Sequence, residues 1–391
     1  MYIKRLEGKE RFDAYMTAVY CFHMRMDDPE AEREKCESDT KEDWGAFDED
    51  GKLMARILNH KYELYLDGKT VRCGGIGGVA TFPEYRGKGA IREIFAKLLP
   101  AAYADGEVLS GLYPFKHDFY RKQGYETVTK NNEYSLRPEL LCRYAFDGTV
   151  KKWECGEPVR DFYNVYREFA PQFNLAKERS EEEMLKLVNV EKPYQERKFS
   201  YVLYMAEAPV AYVVFTDIRH DPAAILKVEE CAWTGRDGFL GILGFLARFE
   251  ADYGTIILPL PAGIDLLRII ESPLAYEIEK TPSQSFMVRV INAVKLAKVI
   301  RKPADCDFTM RVSDEIIAEN NVTIRVRADE VQTVSEELPD MVLNIRTLGQ
   351  LALGCLNIDE AKLRKDVEIS GNEEMLRRVF GEKKIFVSEH F

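Results

Sequence analysis

The chain has 391 residues, 46% hydrophobic and 31% charged, a balance that fits a globular protein of two or three domains and excludes a low-complexity chain. Its formal charge of −11 argues against a nucleic-acid partner, and with no apolar run of membrane-spanning length and no signal-peptide centre in MYIKRLEGKERFDAY, a cytoplasmic protein with no membrane partner is expected. Eight cysteines without a CxxC and five histidines without an HExxH point to neither a disulfide framework nor a metal site.

Residues 11 to 25 read as a helix with Phe12, Tyr15, Met16, Val19 and Phe22 on its apolar side. An acidic stretch from Asp27 to Asp50 follows, which reads either as a solvated face or as a negative wall that attracts an amine. Strands come next, with Asp67-Gly68 as the strongest hairpin signal. Gly74, Gly75, Gly77 and Gly78 then allow another backbone to pass close by. Val79 to Phe82 is short and apolar, Pro83 stops it, and Arg86-Gly87-Lys88-Gly89 makes a turn. Ile91, Ile94, Phe95, Leu98 and Leu99 recur at the spacing of one helical face, so this basic turn sits at a helix N-terminus, where free N–H groups and the helix dipole attract phosphate. A basic turn before an ordinary amphipathic helix is the plainer reading of the same residues. The pattern is neither GxGxxG nor a Walker loop.

A second α/β pattern begins near residue 145. Residues 200 to 218 read as two antiparallel strands around Ala206 to Pro209, residues 226 to 233 as a third, and TGRDGFLGILGFLARFEADY as a turn and helix with an acid, Asp237, in the turn. From about residue 290 the strands FTMRVSD, VTIRVRAD and VEIS accompany helices in TLGQLALGCL and NEEMLRRVF. The expected fold class is therefore α/β and α+β.

VATFPEYRGKGAIR resembles the coenzyme A pyrophosphate motif of the GNAT acyltransferases, [RQ]xxGx[GA] after a strand; Arg86, Gly89 and Ala90 fit, and Ile91 stands where Gly or Ala is usual. The set Arg86, Gly89, Ala90, Ile91 and Arg92 is similar to that of the enhanced intracellular survival (Eis) branch, and LYPFKHDFYRKQGYETV resembles its FYxxxGY element through Tyr120, Gly124 and Tyr125. The resemblance implies two tandem GNAT-like domains, residues 1–144 and 145–288, the second without coenzyme A binding, followed by a sterol carrier protein-like domain at 289–391. It implies an N-acetyltransferase that uses acetyl-CoA as donor and no metal, acts on a cationic amine such as an aminoglycoside, polyamine or lysine side chain, and forms a homo-oligomer, hexameric in that family.

The same resemblance assigns roles. Arg86, Gly87, Lys88, Gly89 and Ala90 would hold the pyrophosphate; Val79 and Thr81 would bond the pantetheine arm; Phe115 would contact coenzyme A, with His117 and Arg121 as further contacts. Tyr120 would be the general acid, and the sequence closes on Ser388-Glu389-His390-Phe391, whose Phe391 carboxylate would be the general base. Met24, Asp27 and Trp44, with Met26, would line the acceptor site; core packing is the other reading of the apolar three. The competing function is a non-catalytic ligand- or lipid-binding protein built on the third domain.

Overall fold

The computed structural model describes residues 1–38, 41–128, 131–189, 193–220, 223–271, 277–282 and 285–389. The first stretch of chain supplies β1 (Tyr2–Arg5), β2 (Glu42–Phe47), β3 (Leu53–Leu66), β4 (Lys69–Thr81), β5 (Leu109–Leu112) and β6 (Glu126–Val128). The second supplies β7 (Asn132–Leu136), β8 (Thr149–Lys152), β9 (Lys198–Met205), β10 (Ala208–His220), β11 (Ala223–Trp233), β12 (Thr255–Leu260) and β13 (Ile278–Pro282). The third supplies β14 (Phe286–Val290), β15 (Asp307–Ser313), β16 (Thr323–Arg327), β17 (Val331–Val334), β18 (Met341–Asn344) and β19 (Glu368–Ile369). These residues form three sheets, in the orders β1-β2-β3-β4-β5-β14-β6, β13-β7-β12-β11-β10-β9-β8 and β17-β16-β15-β18-β19.

Sheet membership crosses the expected boundaries at 144 and 288. β14 is antiparallel to both β5 and β6, with Met287 opposite Leu112 and Thr127, and so lies inside the first sheet. β7 lies between β12 and β13 in the second. The first two sheets each contain an interior strand that the expected boundaries would give to a neighbouring unit.

The hairpins follow local turn chemistry. Asp67 and Gly68 have φ of 50° and 82°, and Ala206 and Glu207 have 45° and 69°, the paired positive angles of a two-residue turn that matches the twist of the flanking strands. The Asp67 tip is also a junction. Its carboxylate accepts from the Arg301 amide and the Lys383 ammonium, both at 2.7 Å, and its amide donates to Asn174 Oδ1.

The helices α1 (Lys9–Cys21), α2 (Pro29–Ser38), α3 (Ala90–Ala104) and α4 (His117–Arg121) belong to the first unit. In α1 the buried side is Phe12, Ala14, Thr17 and Ala18, while Met16 and Phe22 are exposed, which corrects the expected apolar side. One apolar core joins the first and third units: Leu64, Leu66 and Val71 pack with Val288 and Val290 and with Phe308, Met310, Val312, Ile324 and Leu343. Arg289, fully buried on β14, donates to Gln123 O at 2.7 Å and to both carboxylate oxygens of Asp314, also at 2.7 Å. Gly124 makes room for it, since a Cβ there would lie 1.5 Å from Arg289 Nη1 and the residue has φ +82°.

No helix among the described residues is long and apolar enough to cross a membrane.

Candidate active site

β4 and β5 run parallel, but their pairing stops at Ile76 opposite Leu112, while β4 continues to Thr81. On its other edge β4 pairs with β3, and the register slips between Arg56 and Leu58, opposite Gly78, whose φ is +54°. A bulge of this kind re-aims the strand. Val79 and Thr81 thus lie on the part of β4 that has no partner from β5.

The glycines before them serve differently from the expectation. A side chain on Gly74 would collide with Asn59 and Glu107, and one on Gly75 with the Tyr62 ring, so both make room for side chains of the protein itself. Gly111 does the same for Phe286.

Beyond Thr81 the chain makes a short 3-10 turn, Pro83–Tyr85, and reaches Arg86, Gly87 and Lys88, all exposed. Gly87 and Gly89 have φ of 79° and 80°. Gly89 is the N-cap of α3 and supplies no side-chain oxygen, so the amides of the first turn keep their donor capacity. Arg86 Nε lies 3.4 Å from Thr81 O, and Lys88 Nζ lies 4.9 Å from the centre of the Tyr85 ring. Ala90 and Ile91 are buried against the first sheet, which accounts for an isoleucine at the position where the general motif has a small residue.

Tyr120, on α4, is buried among Phe95, Phe115, Phe119 and Tyr125, with ring centroids 5.1 to 6.3 Å away. Its hydroxyl meets no hydrogen-bond partner among the described residues. Burial pushes its pKa above the usual phenol range, so the proton is held at neutral pH. Phe115 beside it is 70% exposed. Tyr125 is tied instead to Ser110 Oγ at 2.8 Å. Arg121 is engaged by Glu126 and Asp118, and not directed to a ligand.

Phe391 lies outside the described residues, but the approach to it does not. Ile385 bonds to Ala262 and Phe386 to Asn174, and Val387 exchanges bonds with Asn131. Glu389 then receives Arg179 Nε at 3.2 Å and Lys177 Nζ at 3.4 Å, and its carbonyl accepts from Tyr113 Oη at 2.5 Å. Tyr113 directly follows β5. Residue 389 is therefore held at the end of the strand where the β4–β5 pairing stops. Arg179 is itself fixed by a buried pair with Glu230, at 2.6 and 2.9 Å. Sequence reading missed Tyr113, Lys177, Arg179 and Glu389, whose only relation is contact across more than 200 residues.

On the face of β3 and β4 that carries Gly78 lies a cavity of about 560 Å³ between α1, α2 and the sheet. Met24 and Phe22 form part of its wall, 44% and 53% exposed. Asp27 is exposed and does not line it. Trp44 is turned away for a simple reason: successive residues of a strand face opposite sides, so Asp43 borders the cavity and Trp44 packs with α3 in the core. Arg56 donates to Asp43 at 2.7 Å, both about 5% exposed, and burial pushes Asp43 up to about 6. Arg56 and His60, which border this cavity, were not singled out from the sequence. Among the described residues no cluster of three metal-ligating side chains occurs.

Residues 2–128 match the acetyltransferase (GNAT) domain family, and residues 289–388 the sterol carrier protein domain family. No curated protein matches the sequence. Three solved structures are similar over nearly all of both chains. A probable N-acyltransferase from Enterococcus faecalis V583 has TM-score 0.83 and 20% identity, covering 98% of this chain and 97% of that one. A GCN5-related N-acetyltransferase from Anabaena variabilis has TM-score 0.84 and 17% identity, covering 98% and 99%. Eis1 from Mycobacterium abscessus has TM-score 0.82 and 15% identity, covering 100% of each. The chain thus carries a GNAT acetyltransferase domain at residues 2–128 and a sterol carrier protein domain at residues 289–388, on a fold shared with these structures from end to end.

Proposed function

We propose that this enzyme uses acetyl-CoA as donor and acetylates a primary amine in the cavity beside Gly78. The observation that carries the reading is the sequence of events along one strand: β4 loses its β5 partner after Ile76, and five residues past the strand's end the chain forms an exposed basic turn on an uncapped helix. Acetyl-CoA supplies an activated acetyl group. Arg86, Lys88 and the amides of Gly87, Gly89 and Ala90 hold its pyrophosphate, the main chain at Val79 and Thr81 bonds its pantetheine arm, and Phe115 covers it. The carboxylate of Phe391 takes one proton from the acceptor ammonium, the amine attacks the thioester carbon, Tyr120 gives its proton to the departing sulfur as the C–S bond breaks, and the second proton lost by the nitrogen restores the Tyr120 hydroxyl. The anchored path up to Glu389 supports the role of Phe391, and the protonated, unpaired hydroxyl supports that of Tyr120.

Domains at 1–144, 145–288 and 289–391, and assembly into a homo-oligomer, belong to the same proposal. A cationic acceptor finds little support from the acidic stretch, because of its described members only Glu32 and Asp43 line the cavity. The lipid-carrier alternative is disfavoured by the third sheet, whose apolar residues Phe308, Met310 and Val312 are packed into the core shared with the first unit. Calorimetric titration with acetyl-CoA tests the function. One site per chain is expected, weakened about ten- to hundredfold by Arg86→Glu, the loss of a charge-assisted contact. Absence of saturable donor binding would reject it.

A further inference from the structure

Among its described lining residues the cavity beside Gly78 carries more positive than negative charge. Arg11, Lys35, Lys41 and Arg56 line it against Glu32 and Asp43, a net of +2 before His60 is counted. Glu32 lies 3.7 Å from Lys35, and Asp43 pairs with Arg56 through one oxygen, its Oδ1 having no hydrogen-bond partner among the described residues. Arg56 is the informative member. It is about 95% buried and anchored by one nitrogen to Asp43, yet its Nε has no hydrogen-bond partner among the described residues, an unusual state for a buried guanidinium group. Its guanidinium lies 3.7 Å from where a side chain on Gly78 would begin, so it stands beside the bulge on the part of β4 where the donor is proposed to bind.

We infer that the acceptor is an amine that also bears a carboxylate, the carboxylate being received at the Arg56 end of the cavity and the apolar part of the molecule lying along Phe22 and Met24. This rests on the acetyltransferase reading and narrows its acceptor class. A polycation would meet like charge on most sides, whereas an amino acid-like acceptor brings an anion to the arginine and an amine to the donor. Planar two-nitrogen recognition of a carboxylate is the chemistry for which arginine is suited.

The test compares three acceptors of equal length in a thiol-release assay with acetyl-CoA: ε-aminocaproate, its primary amide, and hexamethylenediamine. The carboxylate is expected to exceed both others in kcat/KM by about tenfold or more, the effect of one charge-assisted pair. Parity, or a lead for the diamine, would overturn the inference. The double variant Asp43→Leu with Arg56→Met replaces the buried pair by apolar groups, a change that folds tolerate. It should bring the ratio within about twofold while acetyl-CoA affinity is kept; a ratio that stays near tenfold would overturn the inference as well. If the double variant does not fold, Lys41→Glu at the exposed rim should lower the carboxylate preference about threefold or more, and an unchanged preference would count against it. Failure of acetyl-CoA to bind would reject the enzymatic reading alone. Calorimetry of ε-aminocaproate against the diamine would still decide the cavity's preference, tighter carboxylate binding supporting it and the reverse refuting it.

Discussion

The first and second sheets place the same parts in the same order and put them to opposite uses. In the first, β4 parts from β5 after Ile76, and the helix that follows begins at a half-buried glycine with no side-chain cap, just past an exposed basic turn. In the second, β11 parts from β12 after Lys227 opposite Ile257, and β11 likewise runs on to Trp233. There the next helix, Gly235–Ala247, starts at once from Thr234, with Asp237 in its first turn. A Cβ on Gly238 would lie 2.2 Å from Val210 O, so the backbone of β10 already crowds that end. The space beside Val228 to Cys231 is lined by Phe386, Val387 and Ser388 of the chain's own tail. The same splayed pair of strands opens beside an exposed basic turn in one unit and faces the C-terminal segment in the other, and the two differ by a few residues at the helix start.

The sharpest way to break this comparison is at the tail. Residues appended after Phe391 turn its carboxylate into an amide, and turnover should fall below detection while donor affinity holds; normal turnover in folded, correctly assembled protein would leave the second unit's gap with no catalytic role. Tyr120→Phe should lower kcat roughly a hundred- to ten-thousand-fold with little change in acetyl-CoA binding. Gly124→Ala tests the packing of the first unit on the third. The new Cβ displaces Arg289 from Asp314, and chemical denaturation should register a loss of about 3–5 kcal/mol, the cost of breaking a buried pair. The smallest effect is expected from Asp237→Arg. Restoring a cation to the second helix start should change donor affinity less than about twofold and leave one site per chain, because Val210 O and the tail still occupy the surroundings.

What could be read from the sequence was what is local. Asp67-Gly68 and the turn after Met205 declare themselves by residues that accept positive φ, and Arg86 to Gly89 by glycine and charge at the start of a periodic helix. Trp44 and the glycines at 74 and 75 were misjudged because their roles depend on which side of a strand faces α3 and on which side chains arrive from β3. Of the two readings of the acidic stretch, the solvated face is the one the fold favours. Composition counts Asp27 to Asp50 as one acidic run, whereas the fold turns most of it outward and brings in Arg11 and Arg56 from α1 and β3. FMVRV reads as one more strand near residue 290, and nothing local says that its partners are Leu109–Leu112 and Glu126–Val128.

That last pairing bears on how the molecule is made. During synthesis the first sheet has its first five strands and β6 exposed from the ribosome long before β14, and until residues 286–290 emerge the facing edges of β5 and β6 have nothing to bond. The same interval leaves β7 waiting for β12 and β13. Two half-built sheets therefore coexist on the nascent chain, each holding open edges of the kind that invite wrong pairing. A fragment cut after residue 128, however neatly it matches one family of domains, lacks the strand that joins β5 to β6 in its own sheet. The acetyltransferase module of this protein is a unit of shape that the gene never encodes as one uninterrupted piece.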